Sequence, residues 1–176
     1  MMRSFELSHG RRVNVWLDQP LPANFTASST VTRLMTSKIA FDARRCIAAI
    51  EINIPHGPIS AYALLGGELV ESGVNGLEVV VAVNSLGFPF RSSLAVVPEE
   101  VKVGLLDEYA GAVLRGVEKV GESRGLPTKA SLRFRWAAHG LLGSSPSIFE
   151  KASGLVVQLL ALPRKASEED LMAVFG

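Results

Sequence analysis

The 176-residue sequence predicts an α+β domain in which helices pack on one face of a mixed β-sheet. Three observations carry this reading. Ala130, Leu132, Phe134 and Trp136 alternate with Ser131, Arg133 and Arg135, the period-two pattern of a half-buried strand. Leu106, Tyr109, Ala110, Val113, Val117 and Val120 recur at steps of three and four, the stripe of an amphipathic helix. The elements run mostly β, then β-α-β-α-α, an order that places helices against a sheet. The whole of 1–176 reads as a single domain: a β-rich part over about 1–70, a β-α-β-α core over 77–162, and a terminal helix over 167–176.

Phe5-Glu6-Leu7 and Val13 to Leu17 are short strands, with Ser8-His9-Gly10-Arg11 as the hairpin turn between them. Pro20 and Pro22 end the second. From Phe25 to Leu34, Thr26, Ser28, Thr30 and Thr32 alternate with Phe25, Ala27 and Val31, predicting a strand with one wet face. Ser37 is placed to cap a helix reaching toward Ala49. Ile50, Ile52 and Ile54 against Glu51 and Asn53 predict a strand, broken at Pro55-His56-Gly57-Pro58. Ser60 to Leu65 is ambiguous between helix and strand, and Gly66-Gly67 punctuates it. Leu77 to Val83 is apolar enough for a central strand. Leu86 to Pro89 is a turn, and Phe90 to Val97 a further strand ended by Pro98. Glu99 to Ser123 is the first long helix. Its Gly111, Gly116 and Gly121 lower helix propensity by roughly 1 kcal/mol each, which points to close packing on a sheet. Gly125 and Pro127 stop it. After the strand from Ala130, His139 to Ser145 is a loop, and Pro146 opens a second helix capped by Ser145. Its buried stripe is Ile148, Phe149, Ala152, Leu155, Val156, Leu159 and Leu160. Ser167-Glu168-Glu169-Asp170 has the form of a capping box for a last short helix to Phe175.

Composition narrows the functional classes. The formal net charge of +1 gives no electrostatic footprint for nucleic acid or an acidic membrane. The apolar run Leu155 to Leu162 is far short of the ~20 residues that span a bilayer, and the N-terminus has no signal-peptide stretch. Cys46 is the single cysteine, excluding an intrachain disulfide and a cysteine metal cage and fitting a reducing, cytoplasmic setting. Scarce Asn and Gln with abundant aliphatics match thermophile composition. Mean hydropathy of +0.27 leaves apolar surface for another subunit, so a homo-oligomer is expected.

The best candidate for chemistry is Gly140-Leu141-Leu142-Gly143-Ser144-Ser145. Glycines let a backbone approach a ligand and adopt positive φ. The helix after it offers free N–H groups and the positive end of its dipole, the combination that binds phosphate. Ser144, Ser145 and Ser147 could add hydroxyls, and His139 beside the loop could bind an anion or move a proton. The plainer alternatives are that Gly and Ser merely make a turn and a cap, and that His139 bonds the loop backbone. Arg133 and Arg135 share a strand face, solvated or basic toward phosphate. His9, His56 and His139 lack zinc-ligand spacing. The hydrolase elbow Gly-x-Ser-x-Gly and the common Gly-rich nucleotide fingerprints are absent. No catalytic residue is assigned.

Leu132 to Leu162 resembles the second motif of the GHMP kinases, the family of galactokinase and the homoserine, mevalonate and phosphomevalonate kinases. There a strand leads through a Pro-x-x-x-Gly-Leu-Gly-Ser-Ser loop, which wraps the ATP phosphates, into a long helix. The counterpart here is Gly140-Leu141-Leu142-Gly143-Ser144-Ser145, with one leucine inserted and the upstream proline absent. Ala161 to Leu171 is similar to the segment after the family's long helix. His9 to Val15 is similar to the family's first motif, without the acidic residue and histidine that usually come next. Glu78 to Val157 also resembles domain four of elongation factor G, through Val97-Pro98, Ala112 to Val117, His139, Ser144-Ser145, Phe149 and Ala152.

Both resemblances imply one fold, with a left-handed β-α-β crossover. The first implies a phosphate- or nucleotide-binding domain taking ATP with magnesium at Gly140, Leu141, Gly143, Ser144, Ser145, Ser147 and His139. A GHMP kinase also has a second domain with a further glycine-rich motif, for which 176 residues leave no room, so a complete kinase is not expected. The second resemblance implies a non-enzymatic module binding RNA or protein. A third alternative is a structural homo-oligomer whose loop is only a cap.

Overall fold

Alternating apolar residues build a mixed sheet of eight strands with three helices against it. The computed structural model describes residues 1–84, 86–96 and 99–176. The strands are β1 (Met2–Glu6), β2 (Arg12–Leu17), β3 (Ser29–Met35), β5 (Ile47–His56), β6 (Ile59–Glu71), β7 (Leu77–Val83), β8 (Val101–Val103) and β10 (Ala130–Gly140). A separate two-stranded piece joins β4 (Ala40–Phe41) to β9 (Leu126–Pro127). The order across the main sheet is β1-β2-β5-β6-β10-β7-β3, with β8 on the far end of β10. β7 and β10 run parallel and are joined through β8 and α1 (Asp107–Ser123); the other neighbours in this sheet are antiparallel. α2 (Pro146–Ala161) and α3 (Glu168–Phe175) complete the chain.

The strands' period of two divides the sheet into two faces. Val13, Val15, Ile50, Ile52, Leu65, Val79, Val81, Leu132 and Phe134 point to the helices and form the main core with Phe149, Val156 and Leu160. The other face carries Trp16, Ala49, Tyr62, Leu64, Trp136 and Ala138, packed with Leu21, Ala23, Val101 and Val103. The predicted stripe of α2 is buried throughout, Ser145 caps it, and Ser167 and Asp170 make both bonds of the capping box on α3. Leu77–Val83 is central as expected, flanked by β10 and β3.

Several expectations are corrected. No helix starts at Ser37. Its hydroxyl donates to the Gly121 carbonyl at 2.6 Å and accepts the Ile39 N–H, a tertiary tie and a local turn that compete with a cap. Strand β3 begins at Ser29 rather than Phe25, and its expected wet face holds: Thr30, Thr32 and Leu34 are exposed while Val31 and Met35 pack toward the core. The breaker at Pro55–Pro58 is a hairpin: β5 runs on to His56 and β6 starts at Ile59. Gly66 and Gly67 lie inside β6 instead of ending an element. A Cβ at Gly66 would come within 2.8 Å of the Ala49 Cβ, and one at Gly67 within 2.9 Å of Leu132 Cδ1. The segment from Phe90 to Val96 is not a strand; Val97 and Pro98 lie outside the described residues. The first helix begins at Asp107, not Glu99, because Val101–Val103 pairs with β10 and Gly104 turns the chain at φ +120°. Trp136 leaves the face of Phe134: a bulge between them pairs Phe134 with Gly67 and Trp136 with Gly66. His139 and Gly140 belong to β10, not to the loop. Of the three glycines of α1, Gly116 meets α2 and Gly121 meets Leu126, while Gly111 faces open space apart from the Arg115 side chain.

Candidate functional site

The end of β10 and the start of α2 hold Gly140 to Ser145 in a closed set of hydrogen bonds. The Gly140 N–H donates to Ser144 Oγ at 2.8 Å, and that hydroxyl donates to the Tyr62 carbonyl at 2.6 Å. The Tyr62 N–H donates back to the Gly143 carbonyl at 3.2 Å, and the Leu141 N–H to the Glu100 carbonyl at 3.0 Å. Ser145 Oγ accepts the Ile148 N–H at 3.5 Å, the capping bond read from the sequence.

Two further N–H groups of this loop converge on one anion. Leu142 and Gly143 donate to the two carboxylate oxygens of Glu99, at 2.9 and 2.6 Å. The glycines are needed for this close approach rather than for positive φ, which neither Gly140 nor Gly143 adopts. A Cβ at Gly140 would sit 2.5 Å from Glu99 Oε1, and one at Gly143 would overlap the Ser60 carbonyl oxygen and lie 2.7 Å from Glu99 Oε2. Glu99 is the residue that sequence reasoning misses: local spacing places it in a helix, and only the fold brings it to Gly143, 44 residues along the chain.

Gly140, Gly143, Ser144 and Ser145 are thus brought together. Leu141 and Leu142 project from the tip, 50% and 57% exposed. Ser147 is exposed on the next turn and lines a groove between α1 and α2 with Lys119, Glu150 and Lys151. His139 is buried, with Nδ1 2.9 Å from the Gly104 carbonyl and its ring edge-on to Tyr109. That bond places a proton on Nδ1 and ties the ring to the turn before α1, not to the backbone of the Gly140–Ser145 loop. Tyr109 in turn stacks on Phe149 and donates to the Ser144 carbonyl at 3.3 Å. Arg133 and Arg135 are exposed; Arg135 pairs with Glu68 at 3.0 Å and covers the Trp136 ring. Among the described residues no three His, Cys, Asp or Glu side chains cluster to hold a metal ion.

A second polar cluster lies on the non-helical face, hidden in the sequence by the Ile50–Ile52 alternation. Glu51 is fully buried and accepts from Tyr62 at 2.8 Å, Asn14 at 2.9 Å and the Leu94 N–H at 2.7 Å. The Leu94 carbonyl accepts from Arg12 at 2.7 Å and Asn53 at 3.1 Å. Burial pushes the Glu51 carboxyl above its ordinary range, against the pull of these hydrogen bonds and of the Arg12 charge. Burial and the neighbouring carboxylate push the Tyr62 phenol up too, which keeps it a donor. The cluster ties residue 94 to the sheet.

Comparison with models of known protein families and with curated protein sequences finds no match.

Proposed function

We propose that the chain is a phosphate- or nucleotide-binding domain, of the kind seen in the amino-terminal half of a GHMP kinase, with Gly140–Ser145 as its anion cradle. The observation that supports this is the Glu99 carboxylate. Two successive backbone N–H groups of the loop that leads into α2 already grip an anion, so the donor set suits a phosphate oxygen in size and sign. Gly140 and Gly143 give the close approach, and the dipole of α2 adds to the field. Glu99 and a phosphate compete for the same donors. ATP would bring its magnesium on its own phosphates, the loop supplying the anion contacts.

Calorimetry with inorganic phosphate and with magnesium–ATP tests the reading in the wild type and in Glu99→Ala. Each N–H bond to a charged group contributes about 1.5–3 kcal/mol. Even one such unit of relieved competition tightens binding about tenfold or more. The expected result is millimolar binding in the wild type and at least that gain in the variant. No heat from either protein at ~10 mM ligand would sink the proposal.

A second reading draws on the exposed Leu141 and Leu142: a protein-binding module that offers the loop tip to a partner. It expects Leu141→Ser with Leu142→Ser to leave phosphate heats unchanged and to abolish partner capture. The balanced charge disfavours RNA as that partner.

A further inference from the structure

The sheet ends on β3 with an open edge. Among the described residues no strand pairs with the side of Ser29–Met35 turned away from β7. In such a strand alternate residues aim N–H and C=O outward, a template for another strand. Sheet edges are usually blunted by proline, lysine, a bulge or shortness. β3 has none of these. It is seven residues long, Ser-Thr-Val-Thr-Arg-Leu-Met, and pairs with β7 without a register break. Its one charge, Arg33, is turned to Glu118 of α1 at 3.7 Å. The opposite edge, β1, is five residues with Arg3 and Glu6 on it.

The surroundings of β3 are apolar and self-complementary in charge. Leu34 is 58% and Ile39 49% exposed. The groove between β3 and α1, about 690 Å³, carries Arg33 and Lys38 against Glu118 and Glu122. Two cations and two anions on one edge sum to zero, so two copies meet there without repulsion. Arg33 and Glu118 are each about half exposed and free to exchange partners across a twofold.

We propose that β3 pairs antiparallel with β3 of a second copy, making a twofold dimer with one continuous sheet. A twofold perpendicular to the sheet keeps each residue on its own face, so the register must centre on a residue paired with itself. The middle of the strand is Thr32. Thr30 then lies opposite the partner's Leu34, and Val31 opposite the partner's Arg33. Each Leu34 is covered by a threonine methyl, and each Arg33 lies near both Glu118 carboxylates.

Sedimentation and oxidative cross-linking test this. The wild type should sediment at twice the 18.8 kDa chain mass. Thr32→Lys puts two like charges face to face at the twofold and should give a monomer with unchanged circular dichroism. Thr32→Cys, in a Cys46→Ser background because Cys46 is exposed, should form a dimer disulfide on mild oxidation, since Cα atoms of facing antiparallel residues lie about 4.5–5.5 Å apart, within the span of a disulfide. If Thr32→Lys does not fold, the cross-link decides. A wild type that stays monomeric at ~100 μM overturns the proposal. So does a dimer that survives Thr32→Lys or fails to cross-link at residue 32. Assemblies growing beyond two copies overturn it as well, because pairing of β3 with β1 would be open-ended.

Discussion

Glycine-to-alanine substitutions at two positions of α1 should have opposite signs. A mid-helix Gly→Ala gains about 1 kcal/mol wherever the new methyl meets nothing. At Gly111 the nearest atom to a built Cβ is the flexible end of Arg115, 3.5 Å away, and the residue is exposed, so Gly111→Ala should stabilise by that amount. At Gly116 the same methyl would overlap the Ser153 hydroxyl and the Glu150 carbonyl oxygen of α2. A backbone oxygen cannot rotate away, so α2 itself must withdraw. Separating α2 from α1 disturbs Val113, Val117, Phe149 and Val156 at the centre of the core. Overpacking of this kind costs about 1–3 kcal/mol or more, and a shift of backbone puts the cost at the upper end. Net of the helix gain, Gly116→Ala should destabilise by about 2 kcal/mol. The gap between the two variants is therefore about 3 kcal/mol, roughly 6–12 °C in melting temperature for a chain of this length. Urea unfolding followed by circular dichroism reads it directly. Two variants that shift the midpoint the same way would refute the close α1–α2 crossing.

Replacing Glu51 should remove one pH-dependent contribution to stability. The folded-state carboxyl titrates above its ordinary value of 4.5, so in that window the native chain holds a proton that the unfolded chain has lost. The stability this supplies is complete below 4.5 and is lost as pH rises through the folded value. The advantage of wild type over Glu51→Gln should therefore fall as pH rises above 4.5 through the folded-state value, by up to about 1.4 kcal/mol per pH unit; a urea-midpoint difference that is flat or rises with pH would contradict the burial argument. Ser145→Ala removes the α2 cap. With a bond as long as 3.5 Å the loss should lie near the low end for caps, about 0.5–1 kcal/mol, and a thermal melt showing a gain would count against the assigned helix start.

Local signals are legible in the chain: Ser145-Pro146 starting α2, Ser167 and Asp170 closing a capping box, the stripe of α2, the central strand Leu77–Val83. Each rests on groups within a few residues of one another, where propensity and periodicity act. The α+β class follows from the order of those elements. The loop Gly140–Ser145 stands out because glycine, serine and a helix start are neighbours in sequence.

Distant partners decide the rest. Val101–Val103 reads as part of a helix from Glu99, yet it pairs with β10 as a strand. Gly66 and Gly67 read as punctuation, yet both lie inside β6, where a Cβ would crowd Ala49 at one and Leu132 at the other. The alternation from Ala130 to Trp136 does not reveal that a bulge sends Trp136 to the opposite face. The Gly- and Ser-rich loop before α2 is legible, but the carboxylate it holds is not. Glu99 meets Gly143 across the intervening α1 and β10, and the sheet's edge is open because, among the described residues, only β7 pairs with β3. Sequence alone determined which short segments could be helix, strand or cradle. Tertiary structure decided which carboxylate the loop holds and which strand keeps one open side, because both depend on contacts that close loops of tens of residues.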